Sequence, residues 1–202
     1  MTDVPPALRA VLESAQRAGM LGPEDVAVPV AHALEFFRAL SDPGDAHCLD
    51  LGSGAGVPGL PLALQYPRTR WTLVDAWEAR CAHLENAVRA LGLDKRVAVV
   101  HGRAEELART TLRASADRVV VRSFGPPGIT AECAAAFVRD GGRLVVSVAR
   151  DAAWPDDIPE LSLSLERAWS TARGAFRCYT RAGPLDARYP RRPAAQRRRP
   201  LF

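Results

Sequence analysis

Apolar residues follow two rhythms along the chain. Leu8, Val11, Leu12 and Ala15 keep the three-and-four spacing of one helix face, and Gly22-Pro23 interrupts it, which predicts two helices over 5–20 and 23–41. Asp42-Pro43-Gly44-Asp45 then reads as a turn, and from there short apolar runs alternate with helical patterns. Strands are predicted over 46–51, 70–75, 96–100, 117–122 and 143–148. Between them lie helices through Leu60, Leu62, Ala63 and Leu64, over 77–91 with Cys81, Leu84, Val88 and Leu91 on one face, over 104–113, and over 129–139 ending at Asp140-Gly141-Gly142. An acidic loop, 151–160, leads to alternating segments at 161–169 and 174–181 around Arg173-Gly174, the pattern of a hairpin.

Five such alternations with continuously apolar strands predict an α/β fold: a doubly wound, mostly parallel sheet covered on both faces, with an N-terminal helical addition. The chain divides into a helical segment 1–44, a nucleotide-type domain 45–182 and a tail 183–202. A length of 202 residues suits one hydrophobic core. The 48% hydrophobic and 25% charged composition excludes a disordered chain. No apolar run is long enough for a membrane span, and Met1-Thr2-Asp3-Val4-Pro5-Pro6 lacks the features of a secretory leader, so the expected location is the cytoplasm. Cys48, Cys81, Cys133 and Cys178 form no C-x-x-C pair and the histidines show no ligand spacing, so no metal site is expected.

Charge is uneven. The last fifteen residues hold six of the 27 cations (Arg188, Arg191, Arg192, Arg197, Arg198 and Arg199) and no acid; without them 21 cations face 23 acids. A tail of this kind suits a polyanion, and Pro190, Pro193 and Pro200 are expected to keep it extended.

The densest motif is Asp50-Leu51-Gly52-Ser53-Gly54-Ala55-Gly56-Val57-Pro58-Gly59, which follows a strand and opens a helix. Residues 54–59 match G-x-G-x-x-G, and Asp75 ends the next strand 19 residues after Gly56, where an acid grips a ribose hydroxyl. These two features fit NAD and S-adenosyl-L-methionine alike. Asp50 points to the second: a carboxylate beside the loop repels a pyrophosphate and attracts an ammonium and a sulfonium. Gly102-Arg103-Ala104-Glu105 follows the third strand, where a backbone amide near Ala104 or the Glu105 carboxylate can meet an adenine edge. Trp77 is placed to line the nucleoside pocket, and Arg122, at the carboxyl end of the fourth strand, to hold the donor or an acceptor phosphate or base edge.

The run Asp50–Ala63, with its Val57-Pro58-Gly59-Leu60-Pro61-Leu62 continuation, resembles the signature of ribosomal RNA small subunit methyltransferase G, also called glucose-inhibited division protein B. Thr72-Leu73-Val74-Asp75 with Arg80 and Leu84, Arg103-Ala104-Glu105, Val121-Arg122-Ser123-Phe124, His32-Ala33-Leu34-Glu35 and the tail Tyr189-Pro190-Arg191-Arg192 are similar to further segments of that family. The resemblance implies a class I methyltransferase (Rossmann-like) sheet and methylation of N7 of one guanine in 16S rRNA, free or in a small-subunit precursor, through the cleft and the basic tail. It places Gly52, Val57, Asp75, Ala104, Glu105 and Arg122 around the donor, with Asp50 and Gly54 added by the loop reading. No catalytic residue is assigned, because an unprotonated N7 needs no general base. The sequence departs from the family after the fifth strand, where Val148-Ala149 replaces Lys-Gly and Arg150 stands near. That departure leaves open a small-molecule methyltransferase or a non-catalytic RNA-binding relative; the single lysine and the lack of Tyr-x-x-x-Lys count against an NAD(P) oxidoreductase.

Overall fold

The computed structural model describes residues 3–150 and 152–202; Met1 and Thr2 of the N-terminal segment and Asp151 of the acidic loop lie outside the described residues. In chain order the elements are α1 (Pro6–Arg17), α2 (Ala27–Leu34) running into a 3-10 turn (Glu35–Phe37), β1 (His47–Leu51), α3 (Gly59–Gln65), β2 (Arg70–Asp75) and α4 (Glu78–Ala90). There follow β3 (Val97–His101), α5 (Ala104–Leu107), β4 (Ala116–Val121), α6 (Pro127–Ala135), β5 (Val138–Val148), β6 (Asp157–Ile158), β7 (Leu163–Thr171), β8 (Gly174–Arg181) and α7 (Pro193–Arg198).

One sheet runs β3-β2-β1-β4-β5-β8-β7-β6. Strands β1 to β5 pair in parallel, and β8 enters antiparallel to β5, with β7 folded back on it. The chain order reverses between β1 and β4, so the loops after these strands diverge and leave a crevice at their carboxyl ends. The strand interiors alternate between two cores. Leu49, Leu51, Val119, Val121, Leu144 and Val146 face α6 and Phe137 on one side. Cys48, Val120, Val145, Leu73 and Phe176 face α1 to α4 on the other. Burying each large aliphatic side chain contributes about 1.5–3 kcal/mol, so two covered faces fix the sheet's register.

The predicted α/β architecture is present, with several boundaries moved. Helix α2 begins at Ala27 rather than 23, because the Asp25 carboxylate accepts the Ala27 amide at 2.7 Å and starts the turn there. The helix expected over 104–113 stops at Leu107: the Thr110 hydroxyl donates to the Leu107 carbonyl at 2.7 Å and competes with the helical pattern. The helix expected to reach 139 ends at Ala135, and β5 starts at Val138, which pairs with Ala116. Asp140-Gly141-Gly142 is therefore an irregularity inside a strand, with Gly141 at φ 71°, and no helix end.

The expectation of an extended tail is overturned. Pro193–Arg198 forms α7, with proline in its first turn, a position that needs no amide hydrogen. Gln196 is buried against α6, and Arg191 forms a paired contact with the fully buried Glu132, Nη2 to Oε2 at 2.7 Å and Nε to Oε1 at 3.0 Å. The chain end packs on the start of α6, where a Cβ on Gly128 would meet the Phe202 carbonyl at 3.0 Å.

Candidate active site

The glycine loop leaves β1 at the sheet's reversal point and is tied under β2. The Gly52 and Ser53 amides both donate to the Val74 carbonyl at 2.9 Å. Gly52 has φ 74°, and a Cβ there would stand 2.8 Å from the Phe124 ring, so only glycine serves. Asp75 closes the loop from the end of β2: its Oδ2 accepts the Gly54 amide at 2.8 Å and its Oδ1 the Trp77 amide at 3.0 Å. Arg80 stands 3.9 Å from the same carboxylate and lies over the Trp77 ring, 4.5 Å from its centroid.

Two cavities border this loop and a third adjoins them. The first, about 430 Å³, is lined by Gly52, Asp75, Trp77, Ala104, Glu105 and residues of the tail. The second, about 200 Å³, sits over Gly52, Gly54, Val57 and Arg122 and shares Gly52, Arg80 and Ser123 with the first. The third, about 590 Å³, lies between α2, Ser147 and the β7–β8 turn and shares Arg122 and Ser123 with the second. Together they form a cleft whose joint is Ser123, held at φ 52° just after β4.

Seven of the eight residues singled out from the sequence line this cleft: Gly52, Asp75, Ala104 and Glu105 in the first cavity, with Gly54, Val57 and Arg122 joining Gly52 in the second. Asp50 does not. It is fully buried beneath the loop, where its Oδ2 accepts the Gly59 amide at 2.9 Å and its Oδ1 has no partner. Burial pushes its carboxyl up to about 7, opposed by the hydrogen bond from the Gly59 amide. This corrects the expectation that Asp50 is one of the residues lining the ligand site: its carboxyl lies beneath the loop and shapes it through Gly59. Arg122 pairs with neither Asp117, which holds Arg139, nor Glu132, which holds Arg191. Arg150, standing near the place of the missing lysine, donates to the Thr171 carbonyl at 2.6 Å and lines none of the three cavities.

Sequence reasoning missed Ser123, Phe124 and the tail residues Pro193, Gln196 and Arg197 as cleft walls. A proline followed by Ala194-Ala195-Gln196 and closing arginines is a legible short helix; its docking site is set by Glu132, 59 residues away from Arg191. It also missed the third cavity, where His32 Nε2 and Ser147 Oγ lie 3.0 Å apart while His32 Nδ1 is buried without a partner. Burial, reinforced by the charge of Arg122, holds this imidazole down to about 4, so it is neutral at pH 7.

The topology and glycine loop place the chain among proteins with the Rossmann-like methyltransferase fold. It superposes on cofactor-bound Rv0187 from MTB with a TM-score of 0.65 at 18% identity, over 90% of this chain and 92% of that one. It superposes on the putative methyltransferase yhhF from Escherichia coli with a TM-score of 0.60 at 22% identity, over 81% and 89%.

Residues 11–153 match the family described as rRNA small subunit methyltransferase G (GidB), and the chain belongs to that family. Relatives named ribosomal RNA small subunit methyltransferase G include one from Leuconostoc citreum, 34% identical over 63% of this chain and 53% of its own length. Another, from Caldanaerobacter subterraneus subsp. tengcongensis, is 29% identical over 88% of this chain and 80% of its own length. The matches to the Leuconostoc citreum protein and to one from Streptococcus gordonii span only about half of those relatives, 53% and 55%.

Proposed function

We propose that this chain transfers a methyl group from S-adenosyl-L-methionine to N7 of a guanine in 16S rRNA. The observation that carries the reading is the continuous cleft in which the glycine loop, Asp75 and the Ala104-Glu105 turn meet Arg122 at Ser123, in a chain of this family.

The residues fit the donor. Gly54 has open space on its Cβ side, with only the Gly52 carbonyl at 3.9 Å, so a ligand can lie against the backbone. Asp75 keeps lone pairs free beyond its two backbone partners and offers them to ribose hydroxyls. Ala104 and Glu105 stand at the adenine end, and Arg122 faces the smaller cavity as partner for the donor's carboxylate. When bound, the donor supplies an electrophilic methyl on a sulfonium. An acceptor N7 would use its own lone pair and would need no side chain to take a proton from it. The protein's work is alignment and exclusion of water, for which proximity accounts for much of the rate. Exposed Arg192, Arg197, Arg198 and Arg199 add phosphate contacts at the donor lobe, and such chemistry on ribosome precursors belongs in the cytoplasm. Among the described residues no helix is long and apolar enough to cross a membrane.

Two measurements test the reading. Calorimetry is expected to show binding of S-adenosyl-L-methionine and none of NAD. Mass spectrometry of 16S rRNA from a strain lacking this chain is expected to show one lost 7-methylguanosine, restored by the purified protein. An unchanged nucleoside profile would refute the proposal.

A further inference from the structure

The third cavity and the groove beside it carry an assignment of the acceptor side, which rests on the methyltransferase reading. The cavity shares Arg122 and Ser123 with the smaller lobe over the glycine loop, so a base inside it lies beside the place where a donor's methyl would arrive. Its volume of about 590 Å³ holds a purine with room for its sugar. Its polar lining is the His32–Ser147 pair with Glu24, Arg122 and Ser123, and Arg173 of the β7–β8 turn lines it as well.

Arg173 is half of a built cationic pair. Glu35 is buried, and its Oε1 accepts Arg173 Nη1 at 3.1 Å while both its oxygens accept Arg38 Nη1 at 3.2 Å. The guanidinium-bearing side chains stay in solvent, 46% exposed for Arg173 and 64% for Arg38. One carboxylate thus orients two cations and leaves a net positive charge with most N–H donors unused, the donor geometry that suits a phosphate. A second groove of about 450 Å³ continues from Arg173 past Trp169 and Arg38. The Trp169 indole is fixed there by its donation to the Glu35 carbonyl at 3.1 Å and by stacking on Phe176.

We propose that the RNA strand crosses the β7–β8 turn, with its acceptor base in the cavity between α2 and Ser147 and the phosphate beside that base on the Arg38–Arg173 pair. The arginine-rich tail, docked at the donor lobe, then serves more distant phosphates and does not place the reacting nucleotide. Glu35 is a positioning residue in this scheme, acting through the two arginines.

The test is the double variant Arg38→Gln/Arg173→Gln, which removes both charges and keeps an amide N–H for Glu35. With 16S rRNA lacking the modification, KM is expected to rise about tenfold and the salt dependence of RNA binding to become shallower by about one in slope. The affinity for S-adenosyl-L-methionine is expected to stay at the wild-type value. A double variant with the wild-type KM and salt slope would overturn the proposal. A measurement on the unaltered protein guards against a variant that fails to fold. RNA carrying a photoreactive nucleotide next to the acceptor guanine is expected to crosslink to peptides of the β7–β8 turn; crosslinks confined to residues 188–202 would overturn it. These failures leave wild-type methylation of rRNA intact, whereas a wild-type protein that methylates no rRNA sinks the underlying function as well.

Discussion

Asp50 and Gly59 are locked together: the carboxylate accepts the Gly59 amide at 2.9 Å, and a Cβ on Gly59 would stand 2.7 Å from the same oxygen and 2.5 Å from Leu73 Cδ2. The contact anchors the start of α3 to the end of β1 and so sets the path of the glycine loop between them. Gly59→Ala is expected to cost about 1–3 kcal/mol through overpacking. Denaturant unfolding with an unchanged midpoint would contradict that.

The same burial makes Asp50 a source of pH dependence. Its carboxyl, raised from 3.8 to about 7, holds its proton in the folded state while the unfolded chain has already lost it, so stability falls as pH rises from about 4 to about 7. Asp50→Asn removes this dependence. Between pH 5 and pH 8 the stability of the Asn variant relative to wild type is expected to rise by about 2–3 kcal/mol, read from melts at the two values. Parallel pH profiles for the two proteins would show that Asp50 does not titrate in that window.

Asp75 ties Gly54 and Trp77 together and lines the first cavity. Asp75→Ala leaves two backbone amides without their acceptor, at a cost of about 1–3 kcal/mol. It is also expected to weaken binding of S-adenosyl-L-methionine at least tenfold by calorimetry. Wild-type affinity in a folded variant would remove Asp75 from the site.

Arg122 is expected to matter twice. Arg122→Ala is expected to lower both donor affinity and turnover, and wild-type values for both would remove the assignment. It also relieves His32 of a neighbouring positive charge, so the imidazole is expected to titrate above its present value of about 4. NMR titration of the His32 ring protons reads this directly, and an unmoved midpoint would mean the two groups are not coupled.

Deleting residues 188–202 is expected to weaken donor binding, because Pro193, Gln196 and Arg197 form part of the cleft wall and Arg191 satisfies the buried Glu132. A truncated protein that keeps a native circular dichroism spectrum and wild-type donor affinity would contradict this.

The sheet was legible in the sequence because its central strands are buried on both faces and read as unbroken apolar runs, such as Val119-Val120-Val121 and Leu144-Val145-Val146. The glycine-loop cleft was legible because glycines and an acid at fixed distances after two strands leave few geometries for the backbone. Asp50 misled for a physical reason: a carboxylate one residue before a glycine loop has the same spacing whether it points into the cleft or beneath it, and the deciding contact is Gly59, nine residues on. The third cavity was illegible for another reason. His32, Arg122, Ser147 and Arg173 come from four distant segments: the pairing of β4 with β5 sets Arg122 beside Ser147, the pairing of β5 with β8 adds the β7–β8 turn, and His32 joins through Ser147.

Because Pro193, Gln196 and Arg197 wall the first cavity, its occupancy and the docking of α7 would be thermodynamically linked: prising α7 from α6 would weaken a ligand held there, and that ligand would resist the prising by the same free energy. On the proposed function, an RNA surface that captured the tail's exposed arginines would lower the donor's affinity by that same free energy.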